Sequence, residues 1–162
     1  MNQETPEYYI LIASNLKTRE GTIPAPEFVQ ELAADGYWLL GERSNFRTKI
    51  NQGDRALLYA AGGHSLFMGT ASITSEPTAM SYRQQEALQP ELGFMFATPY
   101  RLELADTVLF NAPVSARALI GELSFITNKK RWGGHFQGGA KRIPEEDFNL
   151  IVARGLQEKE SE

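Results

Sequence analysis

The sequence predicts an α+β fold, a mixed sheet or small barrel with short helices around it. Several runs of four to eight apolar residues, rich in aromatic and β-branched types, read as strands. Short amphipathic stretches with proline near the start and glycine past the end read as helices. The two kinds of segment intermingle, without the regular alternation of a doubly wound parallel sheet.

Residues 1–7 are polar and expected to be frayed, residues 8–154 form a single domain, and 155–162 are a charged tail. Tyr8–Ala13 (YYILIA) has the continuous apolar character of a strand buried on both faces. Ser14-Asn15 ends it, and a polar loop through Lys17, Thr18, Arg19, Glu20 and Gly21 follows. Phe28, Val29 and Leu32 share one face of a helix over Glu27–Ala34, with Pro26 in its first turn and Asp35-Gly36 as its stop. Tyr37–Leu40 is strand-like, and Gly41–Lys49 is polar. The turn Asn51-Gln52-Gly53-Asp54 leads into Arg55–Ala60, a strong strand.

Gly62-Gly63-His64 turns the chain into a hairpin partner, Leu66–Thr74, in which Gly69 suggests a bulge or tight bend. Ser75–Leu92 reads as a loop with a short helix around Tyr82–Leu88. Phe94–Ala105 suits a strand or two, and Ser115–Gly121 a helical turn after Pro113. Pro144 opens a last helix, Glu145–Arg154, with Phe148, Ile151 and Val152 on its apolar face.

Composition narrows the chemistry. There is no cysteine, which excludes disulfides, thiolate zinc sites and cysteine nucleophiles. His64 and His135 are the two histidines, so neither a metal site nor a cofactor is expected. No apolar run approaches the ~18 residues of a membrane span, and the N-terminal residues lack a basic, apolar leader. The expectation is a cytoplasmic protein without membrane contact. The net charge of −4 and pI near 5.3 disfavour broad counterion-release binding of nucleic acid. Any such contact should be a local pocket.

One segment stands against this acidic background. Leu123–Phe148 gathers Lys129, Lys130, Arg131, Trp132, His135, Phe136, Gln137, Lys141 and Arg142 among Gly133, Gly134, Gly138 and Gly139. Cations neutralise phosphates, an aromatic face stacks on a base, and glycine lets backbone N–H groups approach a ligand. A binder of a nucleotide or nucleic acid and a solvated basic loop anchored by one tryptophan both fit.

Enzyme signatures are sparse. No G-x-G-x-x-G opens a helix after a strand, and there is neither a Walker-type loop nor a G-x-S-x-G elbow. Glu145-Glu146-Asp147 sits where a helix N-terminus favours negative charge, which accounts for it structurally. His135 is the best general-base candidate but has no partner identifiable in the sequence. Asp54 after Gly53 fits a turn residue better than a catalyst.

An ordered set of features resembles the EVE domain, of the PUA-like superfamily and akin to YTH domains. The set comprises Tyr8–Ala13 ending at Ser14-Asn15, the pair Tyr37-Trp38, and Ile50–Tyr59 (INQGDRALLY), similar to that family's K-x-G-D-x-V-x-x-Y strand. Phe67–Ala71 continuing to Ser75-Glu76-Pro77, Leu123–Ile126 with Asn128–Gly133, and Arg142–Phe148 complete it. The resemblance covers roughly residues 8–152. It implies a PUA-like pseudo-β-barrel with peripheral helices and a pocket for a flipped, often modified base. It implies that Trp38 occupies the place of a cage tryptophan and that Ser14 and Asn15 supply polar contacts. Leu39 and Tyr59 would line the same pocket, with Phe94 or Phe96 as the second cage aromatic. No second tryptophan stands there, a departure that leaves N6-methyladenine no better placed than modified cytosine or another altered base. Gly62, Gly63, Lys129, Lys130, Arg131, Trp132, His135 and Gln137 would follow the phosphates and the entering strand.

The resulting expectation is a non-enzymatic module that reads a modified base in DNA or RNA. Trp38→Ala is expected to abolish binding and leave the fold intact. Two competitors stand beside it: an ASCH-type enzyme on nucleotides or RNA, with His135 as base beside Glu42 or Asp54, and a small-molecule-binding domain. The first requires those side chains to converge in one cleft.

Overall fold

A computed structural model of the chain describes residues 5–18, 20–92 and 98–160. Phe94 and Phe96, with the start of the strand expected from Phe94, lie outside the described residues, as do residues 1–4 and 161–162 at the two expected tails. The described strands are β1 (Tyr8–Ala13), β2 (Leu16–Thr18), β3 (Gly21–Ile23), β4 (Tyr37–Leu40), β5 (Arg55–Ala60), β6 (Leu66–Ile73), β7 (Thr78–Ala79), β8 (Tyr100–Ser115) and β9 (Ala140–Ile143). The helices are α1 (Ala25–Asp35), α2 (Tyr82–Leu92) and α3 (Glu145–Glu160), with short 3-10 turns at Arg117–Leu119 and Trp132–Phe136.

A seven-stranded mixed sheet runs in the order β4-β8-β6-β5-β1-β9, with β7 also on β8. β1 lies parallel to β5 and antiparallel to β9. The parallel pair requires a crossover, and α1 lies within it. Alternate β1 side chains enter two cores, as a doubly covered strand requires. Tyr9, Leu11 and Ala13 join α1, Trp38 and Leu58 on one face, and Ile10 joins Leu57, Tyr59, Phe136, Phe148 and Ile151 on the other. The apolar run in β1 thus builds both layers.

Local caps fix α1 against this sheet. Pro24 cannot cap the helix with a side chain, so the Asn15 Oδ1 accepts the Ala25 N–H at 2.8 Å. Gly36 ends the helix at φ 81°, donating its N–H to Leu32 O at 2.9 Å.

Several expected boundaries are corrected. The loop after Ala13 contains the β2–β3 hairpin, whose polar residues carry no alternation signal. β8 extends to Ser115 through Pro113, where the sequence suggested that strand structure stops by Ala105. The β6–β8 register passes from Gly69↔Leu109 to Phe67↔Val114, and Pro113 falls in the intervening bulge, where its missing donor does no harm. A Cβ on Gly69 would run into the Val108 carbonyl, so close strand approach explains that glycine. α3 runs past Arg154 and Gly155 to Glu160, taking in most of the expected tail, and the absence of a side chain at Gly155 leaves room for the Phe110 ring.

Candidate functional site

The end of β1, the turn between β5 and β6, α1, β4 and the Trp132–Gly139 segment enclose a cleft of about 690 Å³. That volume lies within the usual range for sites that hold a small molecule or a base. Ser14, Asn15, Trp38, Leu39, Tyr59, Gly62, Gly63, Trp132 and Gln137, all singled out from the sequence, line it. Phe28, Ser65, Phe136, Gly138 and Gly139 do so as well.

The aromatic groups have distinct roles. Trp38 is 0% exposed in the α1-side core and backs the cleft without presenting free surface. Its truncation would open a core cavity, so the expectation that Trp38→Ala leaves the fold intact is corrected. Tyr59 is also buried and stacks on Phe136, with centroids 4.4 Å apart and planes 15° from parallel. Trp132 is half-buried and meets Phe136 edge-on at 6.0 Å. Burial pushes the Tyr59 hydroxyl above its ordinary pKa, while a hydrogen bond with Ser65 and the charge of Arg117 oppose that rise.

Polar groups complete the walls. The Asn15 amide is partly engaged, its Nδ2 donating weakly to Gly62 O at 3.5 Å and its Oδ1 capping α1. An amide has two donors and two acceptor sites, so one of each remains for a ligand. Gln137 is exposed and lines the cleft as well. The Gly138-Gly139 pair, at φ 87° and 83°, lies under Ser44 and Asn45 of the β4–β5 loop. Asn45 N–H donates to Gly138 O at 2.8 Å and Ser44 Oγ–H at 3.2 Å, docking that loop on the cleft wall.

Other sequence candidates lie elsewhere. Lys129, Lys130 and Arg131 are exposed and do not line the cleft; Lys129 Nζ donates to Ile126 O at 3.2 Å. His135 is also outside its lining, where its Nε2 accepts the Asn128 N–H at 3.4 Å. Burial, and secondarily Lys141, depress its pKa below 6.5.

Glu42 and Asp54 border two other depressions, so His135, Glu42 and Asp54 do not converge. Asp54 accepts the Glu7 and Asn51 N–H groups at 3.0 and 2.9 Å and thereby shapes the turn before β5. Asp147 is buried and accepts from Ser124 N, Ser124 Oγ and Phe125 N, tying that loop to α3. Among the described residues no cluster of three or more His, Cys, Asp or Glu could hold a metal ion. No described helix is long and apolar enough to cross a membrane.

Phe28, Ser65 and Thr98 are lining residues missed in the sequence, and so is Arg117, which stands outside the lining with its guanidinium over the Trp132 ring, 5.2 Å from its centroid. A lone arginine between Pro113 and Gly121 carries no pattern, and only the folded contact reveals it.

A curled mixed sheet with peripheral helices and a side cleft of this kind defines a PUA-like pseudo-barrel. Solved structures share the arrangement. A hypothetical protein from Leishmania major superposes with TM-score 0.60 at 11% identity, over 96% of this chain and 98% of that one. The ASCH protein of Zymomonas mobilis gives 0.55 at 13% identity, over 91% and 94%. The chain belongs to the EVE domain family, whose profile matches residues 33–154. A UPF0310 protein of Pyrococcus horikoshii is 32% identical over 119 residues, 68% of this chain and 79% of the relative. One from Pyrococcus abyssi is 30% identical over 115 residues, 66% and 77% of the two chains.

Proposed function

We propose that this EVE domain binds nucleic acid and takes one extruded, modified base into the cleft without catalysing a reaction on it. The carrying observation is the cleft itself, in which the half-buried ring of Trp132, backed by buried Phe136, adjoins the free amide capacity of Asn15 and Gln137. Stacking on an aromatic contributes roughly 1–3 kcal/mol per base, comparable to the few kcal/mol that unstacking costs. Amide groups then read the base edge, where a modification adds or removes a hydrogen-bonding atom. The separation of His135, Glu42 and Asp54 supports a binder over an acid–base catalyst.

The test is titration of tryptophan fluorescence with short single- and double-stranded oligonucleotides. These carry unmodified, N6-methyladenine, 5-methylcytosine or 5-hydroxymethylcytosine bases. Trp132 is the reporter, because Trp38 is sealed in the core. Selective quenching by one modification supports the reading. Equal response to all bases leaves a binder without selectivity, and no response to any defeats it.

A further inference from the structure

We propose that Arg117 is the phosphate-binding residue of the cleft, holding the anion at the end built from Trp132, Tyr59 and Ser65. That the phosphate belongs to a nucleic acid rests on the reading above; the anion site itself does not. Two geometric features and an unpaired charge converge on it.

The guanidinium packs on Trp132 at 5.2 Å, within the range of a cation–π contact. Among the described residues no hydrogen bond engages the guanidinium N–H groups, which leaves donors for an anion. A phosphate accepts a pair of such donors.

The charge is also unspent. Arg101 and Arg154 are paired with Glu103 and Glu122, whereas Arg117 forms no salt bridge among the described residues. Arg43, Arg47, Arg55, Arg83, Arg131 and Arg142 likewise form none among the described residues, and what sets Arg117 apart is its place over a cleft-lining ring. Its positive charge reaches the cleft, since it acts on the Tyr59 hydroxyl.

The third feature is how the backbone holds Arg117 there. Ala116 N–H donates to Ser65 O at 2.9 Å, fastening the Arg117–Leu119 turn to the end of the Gly62-Gly63 turn. Ser65 sits at φ 56° and lines the cleft. The guanidinium and the glycine turn therefore stand at the same end of the cavity. Arg117 and the run Lys129-Lys130-Arg131 all stand outside the lining itself, but among the described residues only Arg117 of these lies over a lining ring.

The test uses the full chain and two variants. Arg117→Met keeps an apolar stem against Trp132 and removes the charge, and Arg117→Lys keeps the charge without the paired donors. Inorganic pyrophosphate is titrated while NMR follows the Arg117 Nε–H and the Trp132 indole N–H. The expected result is saturable movement of both in the parent chain, loss of the Trp132 response in Arg117→Met, and a weakened response in Arg117→Lys. An unmoved Arg117 signal, or an equal Trp132 response in Arg117→Met, overturns the proposal.

Salt-dependent binding of a single-stranded oligonucleotide separates the two readings. Arg117→Met should lower the slope of log K against log salt by about 0.7, the contribution of one phosphate contact. An unchanged slope with intact binding sinks the Arg117 assignment and spares the nucleic-acid reading. Pyrophosphate binding at Arg117 without any oligonucleotide binding does the reverse.

Discussion

The two tryptophans line one cleft and are held in opposite ways. Trp38 is on a strand, fully buried, with α1 packed over its core. Trp132 begins a short 3-10 turn, half-buried, with Phe136 at its edge and Arg117 on its face. The first wall is part of what makes the chain fold. The second carries little of the core and much of the accessible aromatic surface. On the proposed reading the base falls to the less buried wall, because only a ring with free surface can accept one.

The largest test of that contrast is Trp38→Ala. It should cost about 3–5 kcal/mol of stability, a large share of a typical domain's total. A shift in the urea midpoint at constant slope reads it, and a nearly unchanged midpoint would break the contrast. Gly138→Ala comes next. Its φ of 87° and the Asn45 amide beside it both resist a side chain, so about 1–3 kcal/mol should be lost. Its thermal midpoint should fall, and the docked β4–β5 loop should lose protection from hydrogen exchange.

Trp132→Ala sharpens the comparison from the other side. Stability should drop by at most about 2 kcal/mol, since the ring is already half in water. Binding of a selected oligonucleotide should weaken by about 1–3 kcal/mol, read by anisotropy with a labelled strand. Equal losses of stability in the two tryptophan variants would erase the distinction between the walls.

The smallest expected effect is on pH dependence. His135 has a folded pKa below its unfolded value of about 6.5, so the unfolded chain binds the proton more readily. Its contribution to stability is therefore complete above pH 6.5 and declines as the pH falls through that value toward the depressed folded one. His135→Gln should flatten stability across this interval, measured by denaturant melts at successive pH values. An unchanged profile would show that the Trp132–Phe136 turn does not sense that proton.

The legible parts of the fold are those where one segment carries its own signal. β1, β5 and β6 announce themselves as apolar runs, and α1 and α3 begin beside prolines. The β2–β3 hairpin does not, because its three-residue strands are too short and too polar to show an alternation. In the cleft, Asn15, Tyr59 and Gln137 are visible as polar or aromatic residues at strand or loop ends. Arg117 is invisible because its meaning comes from Trp132, fifteen positions away. The run Lys129-Lys130-Arg131 attracts attention for the converse reason: charge density is plain in a sequence, whereas distance from a cavity is not.

The pairing of β1 with β9 has a consequence for the order in which the molecule is completed. Tyr8–Leu11 must wait for Ala140–Ile143, which emerges from the ribosome more than a hundred residues later. The central ladder can form on one side with β5 while its other side stands open. Trp132–Gly139 leads directly into β9, so this wall is seated only when that last strand is laid down. A nascent chain thus assembles its scaffold before it can offer a finished binding surface, and long-range closure of this kind is slow.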